Sequence, residues 1–337
     1  MGFWQIIDSI GPATPLPTSG NLHHDKAIEK IVMGPAEAGT RNQDVLHPSG
    51  LILLGSLAIF WGTNWPAMKI VLGELPVWWF RSICLIVGAT GSLMIAYLSG
   101  ISVRVKRTDL WPLVVSAVFN VIGWHLFSGY GVSLMPAGRA AIIAFTMPVW
   151  AMLIGSWLLD EELTKNKLIG LALGIAGLAT LIGQDLVILR TAPIGALFML
   201  FAAISWAAGT VAIKWFQWST PALSIVGWQM LIGAVPITIG ALLLGPPPDT
   251  ETLSNQALFA LLYVLAMPIL FCQWAYFKTV QILPANVAAI GTLAVPIVGV
   301  YSSALVLSED VGIQEHVALV LICAALASVL FAPKTNS

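Results

Sequence analysis

From residue 50 onward the chain consists almost entirely of long apolar stretches separated by short polar connections. A helix of about 20 apolar residues crosses a hydrocarbon core roughly 30 Å thick, whereas a barrel strand alternates over only about ten residues. The hydrophobic share is 58% and the charged share 9%, against about 45–50% and about 25% in a soluble domain. We therefore predict an all-α integral membrane protein with ten transmembrane helices, at residues 50–72, 76–99, 110–132, 138–160, 165–183, 193–216, 221–244, 257–281, 284–308 and 313–332.

The basic residues are distributed unevenly between the two sides of this predicted bundle. One side carries Lys69, Arg139 and Arg190. The other has Lys214 and Lys278 at inward helix ends, and its loops and tails carry Lys26, Lys30, Arg41, Arg104, Lys106, Arg107, Lys165, Lys167 and Lys334. Positive residues concentrate on the cytoplasmic side of a membrane protein. We therefore predict a multi-pass protein of the plasma (inner) membrane with both termini in the cytoplasm.

Residues 1–49 differ in composition from the rest of the chain. They are polar and interrupted by Pro and Gly, which predicts a disordered cytoplasmic tail. They lack the basic stretch and apolar core of a signal peptide. The three cysteines, Cys84, Cys272 and Cys323, fall within predicted spans, so we expect neither a disulfide framework nor a thiolate metal site. No cofactor is expected.

The second half of the chain repeats features of the first at a constant spacing. Trp61 and Trp206 lie 145 positions apart (206 − 61), within WGTNWPAMK and WAAGTVAIK. Pro76 and Pro221, each at the start of a second helix, are again 145 positions apart. The first two helices of each half therefore correspond to each other.

A further pair of matching segments lies beyond these helices. PAGRAAIIAFTMPV at 136–149 aligns with PANVAAIGTLAVPI at 284–297, a spacing of 148 (284 − 136). Glu161 and Glu309 keep the same spacing. Three residues have therefore been inserted between the two matching blocks.

These spacings divide the chain into two units, 50–183 and 193–333, joined by a linker at 184–192. Each unit has five predicted helices. Because five is odd, the second unit must enter the membrane in the opposite orientation. We therefore predict two inverted five-helix repeats, an architecture typical of secondary transporters.

The order and spacing of four segments resemble the drug/metabolite transporter superfamily, in its ten-helix members with two EamA-type repeats. The segments are WGTNWPAMK (61–69), PVWWFR (76–81), MPAGRAAIIAFTMPVW (135–150) and DEELTKNKLIGLALGIAGL (160–178). The second half departs from the pattern, since Val226 stands where the first has Arg81 and the last connection is reduced to LSEDVGIQEH (307–316). The resemblance implies transport of a small metabolite through a central cavity, and its members include amino-acid exporters.

Polar and aromatic residues recur at helical spacing on the first and sixth predicted helices, where they would share one face. We predict that they bind substrate. The alternative is helix–helix contact for the polar residues and snorkelling to the interface for the lysines. They are Trp61, Asn64, Trp65 and Lys69 on the first helix, and Trp206, Thr210 and Lys214 on the sixth.

Further candidate binding residues lie at similar depth on the third, seventh and eighth helices. Interhelical hydrogen bonds or core packing are the alternative for each. They are Asn120, Trp124, His125, Gln229, Gln273, Trp274 and Tyr276. Among the mid-span prolines, Pro148 and Pro296 are related by the repeat, and we predict that this pair forms a hinge.

The placement of charge indicates the class of substrate. No acidic residue lies deep in a predicted span, and the interior or near-interior charges are Lys69, Arg81, Lys214 and Lys278. Exchange of protons against an organic cation ordinarily requires a buried carboxylate. The charges therefore favour a substrate that carries a carboxylate or a phosphate.

These observations together predict a transporter that exports small metabolites such as amino acids by alternating access. Its expected partners are the substrate and the lipid bilayer, with no nucleic acid; the stripe Gly170, Gly174 and Gly177 fits either internal packing or a homodimer. Paired acids, a Ser/His pair and clustered metal ligands are lacking, so an enzyme is not expected. The alternatives are a non-transporting receptor or scaffold, and an exporter of organic cations or drugs.

Overall fold

The computed structural model describes residues 48–159, 163–187, 193–248, 253–283 and 293–330, and these ranges are almost entirely helical. Within them no β-strand is present, so the prediction of an all-α protein is confirmed. The predicted tail 1–49 lies almost wholly outside the described residues. So do most of the linker and the first part of the predicted ninth span.

We number the helices of the described residues α1 to α10. Seven of them, α1 to α4 and α6 to α8, are long and apolar enough to cross a membrane, while α9 and α10 are apolar but shorter in the described part of the chain. The helices are α1 Pro48–Glu74, α2 Val77–Leu98, α3 Arg107–Leu134, α4 Ala137–Leu158, α5 Lys165–Val187, α6 Pro193–Trp215, α7 Ala222–Leu243, α8 in three pieces Asn255–Val264, Leu265–Phe271 and Cys272–Ile282, α9 Ala294–Leu307, and α10 Ile313–Leu330.

Proline determines where several of these helices begin. Pro76 and Pro221, just before α2 and α7, have the same backbone angles, φ −58° and ψ 143°. This extended conformation cannot continue a helix, but a proline ring placed before the first turn removes no helical hydrogen bond. The two repeat-related prolines therefore begin equivalent helices.

Helix α4 is broken in the middle, at Phe145 and Thr146, immediately before Pro148. Proline lacks the N–H that would bond to the carbonyl one turn earlier, and its ring crowds that carbonyl. At the break, the Thr146 hydroxyl donates to the carbonyl of Ile143, at 2.6 Å, and accepts from the Trp150 indole N–H, at 3.1 Å. Pro296 is the third residue of α9, and the chain before Leu293 lies outside the described residues.

Two helices contain a π-helical stretch at corresponding positions. The stretches are Val118–Gly123 in α3 and Leu265–Phe271 in α8. In α3 the Ser205 hydroxyl of α6 donates to the carbonyl of Phe119, at 2.8 Å. A carbonyl displaced from the regular ladder thus has a partner on a neighbouring helix, which a buried backbone group requires.

Helix pairing follows a simple rule. α2 packs against α7, α5 against α10, and the first half of α4 against α9. α1 packs against α8 and α9, while α6 packs against α3 and α4. Exchanging each helix with the one five places along leaves this set of pairs unchanged.

Glycines allow two of these pairs to approach closely. A Cβ atom on Gly174 of α5 would lie 2.6 Å from Val149 of α4, and one on Gly177 would lie 3.0 Å from Ile322 of α10. This part of the predicted glycine stripe therefore serves packing within the chain.

Two hydrogen-bonded clasps join the halves, one at each end of the bundle. Glu74, the last residue of α1, accepts from the backbone N–H and the hydroxyl of Ser254, at 2.7 and 2.6 Å. Asp109, in the first turn of α3, accepts from the backbone N–H of Ser219 at 3.0 Å and from the hydroxyl of Thr220 at 2.6 Å. Ser219 lies 145 positions after Glu74 (219 − 74), and Ser254 lies 145 after Asp109 (254 − 109). The same two positions meet in both clasps, with the acid on opposite partners.

Two further acids bind backbone N–H groups at helix starts. Glu309, which follows α9, accepts from the N–H groups of Ala137 and Gly138 at the start of α4, at 2.6 and 2.9 Å. Glu315 accepts from the N–H of Gly312 at 2.8 Å and pairs with Arg139 Nε at 2.6 Å. The first N–H groups of a helix have no partner within it and attract negative charge. These acids therefore stabilise helix ends rather than the interior.

Candidate functional site

A buried arginine lies where α1, α2 and α3 meet. Arg81 is in the second turn of α2 and is only 3% exposed. Its Nη2 donates to the hydroxyl of Ser128 on α3 at 2.8 Å, and its Nη1 contacts the sulfur of Met68 on α1 at 3.6 Å. Among the described residues no carboxylate lies within ion-pair distance of this guanidinium. Such a cation is costly to bury without an opposite charge beside it.

Three buried polar atoms near this junction have no hydrogen-bond partner. They are Arg81 Nε, Asn64 Oδ1 on α1 and His125 Nδ1 on α3. The Asn64 amide nitrogen contacts the same Met68 sulfur as Arg81, at 3.4 Å. The great majority of buried polar atoms in native proteins have partners. A cluster of three without one is therefore a strong candidate for a site that a ligand completes.

We refer to Asn64, Met68, Arg81, His125 and Ser128 as the arginine cluster. Asn64 and His125 were predicted from the sequence as binding residues. Arg81 was noted only as an interior charge, and Ser128 gave no signal because serine is common in membrane helices. One sequence feature does indicate Arg81 as a site residue. It is a charged residue within an apolar span, and no acidic residue lies three or four positions away to pair with it.

Two aromatic pairs lie at corresponding interfaces of the two halves. Trp61 of α1 packs on Tyr276 of α8, with ring centroids 5.7 Å apart. Trp206 of α6 packs edge-on to Trp124 of α3, with ring centroids 4.9 Å apart. Four predicted binding residues are thus brought together in two pairs, and each pair includes one of the two repeated tryptophans.

Lys69 holds the end of α3. Its ammonium donates to the carbonyls of Val132, Ser133 and Met135, at 2.8, 3.0 and 3.0 Å. The last carbonyls of a helix lack partners within it and carry partial negative charge. The three N–H bonds of the ammonium therefore tie α1 to α3, which was not among the roles predicted for Lys69.

The lysine contact predicts a loss of stability. Lys69→Met keeps an apolar stem but leaves three carbonyls without a charged donor, and we expect it to lower the free energy of unfolding by about 2 kcal/mol. Thermal unfolding of purified protein in detergent measures the effect. Lys165→Met, at an exposed position at the start of α5, is the matched control and should be nearly neutral. An unchanged melting temperature in Lys69→Met would contradict this role.

Several other predicted residues make contacts within or between helices. The Thr210 hydroxyl donates to the carbonyl of Trp206 in its own helix, at 2.8 Å. The Gln229 amide of α7 donates to the Ser116 hydroxyl of α3, at 2.9 Å. Asn120 packs against Gly209 of α6 with its Oδ1 unpartnered. Thr210 therefore bonds within its own helix and Gln229 bonds between two helices, whereas Asn120 keeps an unpartnered oxygen.

The remaining predicted residues lie on α1, α6 and α8, and the two tryptophans among them pack against residues outside the arginine cluster. Trp65 is buried against Gly299 of α9. Trp274 packs on Phe271 and is 39% exposed on the surface of α8. Gln273 is half-buried on the same helix, and Lys214 is half-buried at the end of α6. In the described part of the chain no three His, Cys, Asp or Glu side chains are grouped to hold a metal.

Comparison with known proteins gives a consistent result. The chain matches the EamA-like transporter family over residues 48–183 and 193–331. It is 30% identical over 293 residues to the "Uncharacterized transporter YvbV" of Bacillus subtilis (strain 168), covering 82% of this chain and 90% of that protein. It is 27% identical over 284 residues to the "Probable amino-acid metabolite efflux pump" of Salmonella typhimurium, covering 80% and 91%.

A solved structure, "Crystal structure of protein", has a similar fold. It aligns with 84% of this chain and 97% of its own length, with a TM-score of 0.60 and 21% sequence identity. At this identity the likeness concerns the fold alone. It therefore extends the similarity over both matched halves without indicating a substrate.

Proposed function

The chain belongs to the EamA-like transporter family, and we propose that it exports small metabolites such as amino acids by alternating access. A multi-pass membrane transporter follows from the family and from the apolar helices. The observation that carries the finer proposal is the arginine cluster, a buried cation beside three unpartnered polar atoms. A relative carries the name "Probable amino-acid metabolite efflux pump", which agrees with this substrate class.

We propose ten membrane spans in two inverted repeats. The helix pairs described above stay the same when each helix is replaced by its counterpart in the other half, and this supports the arrangement. So do the matching π-helical stretches of α3 and α8 and the two clasps related by the 145-residue spacing. The break in α4 before Pro148 supports a hinge there, with Pro296 as its counterpart in α9. In alternating access, the two similar halves would exchange conformations around the site, so that it opens to one side of the membrane and then to the other.

The substrate proposed for this site is zwitterionic or anionic. Each acid of the described residues treated above, Glu74, Asp109, Glu309 and Glu315, accepts hydrogen bonds at a helix end. These four carboxylates are therefore engaged at helix ends, whereas Arg81 offers a positive charge in the interior. The aromatic pairs of Trp61 with Tyr276 and Trp124 with Trp206 supply apolar surface for a side chain on α1, α3, α6 and α8.

Flux into liposomes tests this function. Purified protein should move labelled L-leucine, L-phenylalanine and L-threonine faster than protein-free vesicles do, and faster than it moves a quaternary ammonium dye. Faster transport of the dye would indicate an organic-cation exporter instead. Absence of any flux from protein that is demonstrably folded would favour a receptor or scaffold.

The proposed orientation places both termini in the cytoplasm. We expect Ser102→Cys to react with a membrane-impermeant maleimide only from the cytoplasmic side, and Gln256→Cys only from the outside. Both positions are exposed, and Gln256 avoids Ser254, whose hydroxyl binds Glu74. The parental protein, with its buried Cys84 and Cys272 and half-buried Cys323, provides the background labelling. The reverse pattern would contradict the orientation.

A further inference from the structure

We propose that Arg81 is the anchor for a substrate carboxylate, with Asn64 and His125 completing the site. The inference rests on the proposed transport function and specifies the group that the protein recognises. Arg81, Asn64 and His125 come from three different helices, and each has a buried polar atom without a partner. A ligand at this junction would satisfy all three, which no contact within the described residues does.

The charge at the junction matches a single negative charge. Arg81 is a buried cation with a hydroxyl, a sulfur and the Phe80 ring, 5.0 Å from its Cζ, as neighbours. Lys69, on the same helix as Met68, is committed to three carbonyls at the end of α3, those of Val132, Ser133 and Met135. One guanidinium without a second cation balances a monoanion, whereas a phosphate dianion would remain partly uncompensated. The site therefore selects a carboxylate.

The hydrogen-bonding capacity indicates more than a simple carboxylate. Arg81 Nε is a donor and suits a carboxylate oxygen. Asn64 Oδ1 is an acceptor and needs a donor, while His125 Nδ1 can take either role according to its tautomer. A ligand with a carboxylate and a neighbouring ammonium or hydroxyl supplies both kinds of partner. An α-amino acid is the simplest molecule of this description.

A purely structural role for Arg81 would use its contacts with Met68 on α1 and Ser128 on α3. The hydrogen bond to Ser128 joins α2 to α3 through Nη2, and neither contact involves Nε. Ser128→Ala removes this hydrogen bond but keeps the guanidinium, so it separates the two roles. Under carboxylate anchoring, Arg81→Gln loses the preference for an acid over its amide, and the loss is larger than in Ser128→Ala, which retains the guanidinium.

The test compares acids with amides in liposomes. The probes are L-leucine, L-phenylalanine and L-threonine, each beside its C-terminal amide. We expect the parental protein to move the acids at least about tenfold faster, which corresponds to about 1.4 kcal/mol. Arg81→Gln should abolish this preference by slowing the acids and not the amides. A folded Arg81→Gln variant that retains the acid preference would overturn the inference.

A second variant serves if Arg81→Gln does not fold. Asn64→Asp introduces a carboxylate at a side chain that contacts the same Met68 sulfur as Arg81. This carboxylate would pair with the guanidinium and take the place of the substrate's. We expect a higher melting temperature than in the parental protein and loss of acid transport with amide transport retained. Full acid transport in Asn64→Asp would contradict the proposal.

Thermal stabilisation separates failure of this inference from failure of the proposed function. Millimolar L-leucine, L-phenylalanine or L-threonine should raise the melting temperature of the parental protein, the corresponding amide should not, and Asn64→Asp should not respond to the acid. Stabilisation by acids without any flux would contradict the transport function but support the site. Flux with equal rates for acids and amides would support transport and overturn the site.

Discussion

Gly209→Ala is expected to eliminate most of the folded protein, although it adds a single methyl group. A Cβ at this position of α6 would lie 2.2 Å from Asn120 Oδ1 and 2.8 Å from the Asn120 backbone nitrogen. Rotation of the Asn120 side chain could relieve the first contact but not the second, so α3 and α6 would have to separate. Overpacking of a core typically costs about 1–3 kcal/mol, and contact with the backbone suggests a value near the upper end.

The amount of monodisperse protein extracted from membranes, and its melting temperature, measure this effect. Gly73→Ala is the matched control because no atom lies within 4 Å of its Cβ position. Alanine also favours helix over glycine by up to about 1 kcal/mol, so this control should be neutral or slightly stabilising. Equal yields and melting temperatures for the two variants would show that α3 and α6 are not packed as described.

Asp109→Ala is expected to be the most damaging change at a helix end. The Asp109 carboxylate is fully buried, with 0% exposure. It accepts from Thr108, from the backbone of Ser219 and from the Thr220 hydroxyl. Its removal would leave the N–H and hydroxyl donors without partners in a site closed to water. Buried hydrogen bonds to charged groups contribute about 1.5–3 kcal/mol each, so we expect a loss of about 3 kcal/mol.

Glu74→Ala provides the matched comparison for Asp109→Ala. Glu74 occupies the corresponding position of the other clasp and makes two hydrogen bonds to Ser254, but it is exposed. Water can replace the lost partners there, so its melting temperature should change far less. Chemical denaturation of both variants in the same detergent makes the comparison. Equal destabilisation would contradict the assignment of burial at the two clasps.

Membrane-spanning helices were the most predictable part of the fold. The predicted span 76–99 differs from Val77–Leu98 by one residue at each end, because the length of the apolar stretch and Pro76 before its first turn are both visible in the sequence. Pro148 indicated from the sequence where α4 is interrupted. Yet Pro66 and Pro236 lie inside the continuous helices α1 and α7, so proline by itself does not determine a break. The neighbouring helices decide whether the freed carbonyl finds a partner.

Side-chain contacts were less predictable because they depend on which helices meet. Asn64 and His125 were identified from depth and residue type, and both belong to the arginine cluster. Lys69 has the same residue type as a substrate-binding cation, but carbonyls of α3 surround its ammonium. Glu74 and Asp109 illustrate the difficulty best. The two clasps join positions that the repeat relates. In one clasp the acid is at the end of the first helix of its half, and in the other it is at the start of the third helix, so the residue types at related positions differ.

The two halves differ where the substrate site is proposed. Val226 stands at the position that corresponds to Arg81, and it packs with Leu85, Ala89 and Ile237 in an apolar cluster between α2 and α7. Only one half therefore supplies a guanidinium at this position. A carrier with one such charge binds one carboxylate, while the similar packing of its halves remains available for exchange between two orientations.

Counterflow in liposomes tests the central claim most directly. Vesicles containing the protein are loaded with excess unlabelled L-leucine, L-phenylalanine or L-threonine, and a trace of the labelled acid is added outside. A carrier that alternates between two orientations returns faster when it is loaded, so labelled acid should accumulate transiently above its external concentration. Arg81→Gln vesicles should show no accumulation. Equal uptake by loaded, empty and protein-free vesicles, with all three acids and folded protein, would contradict the account.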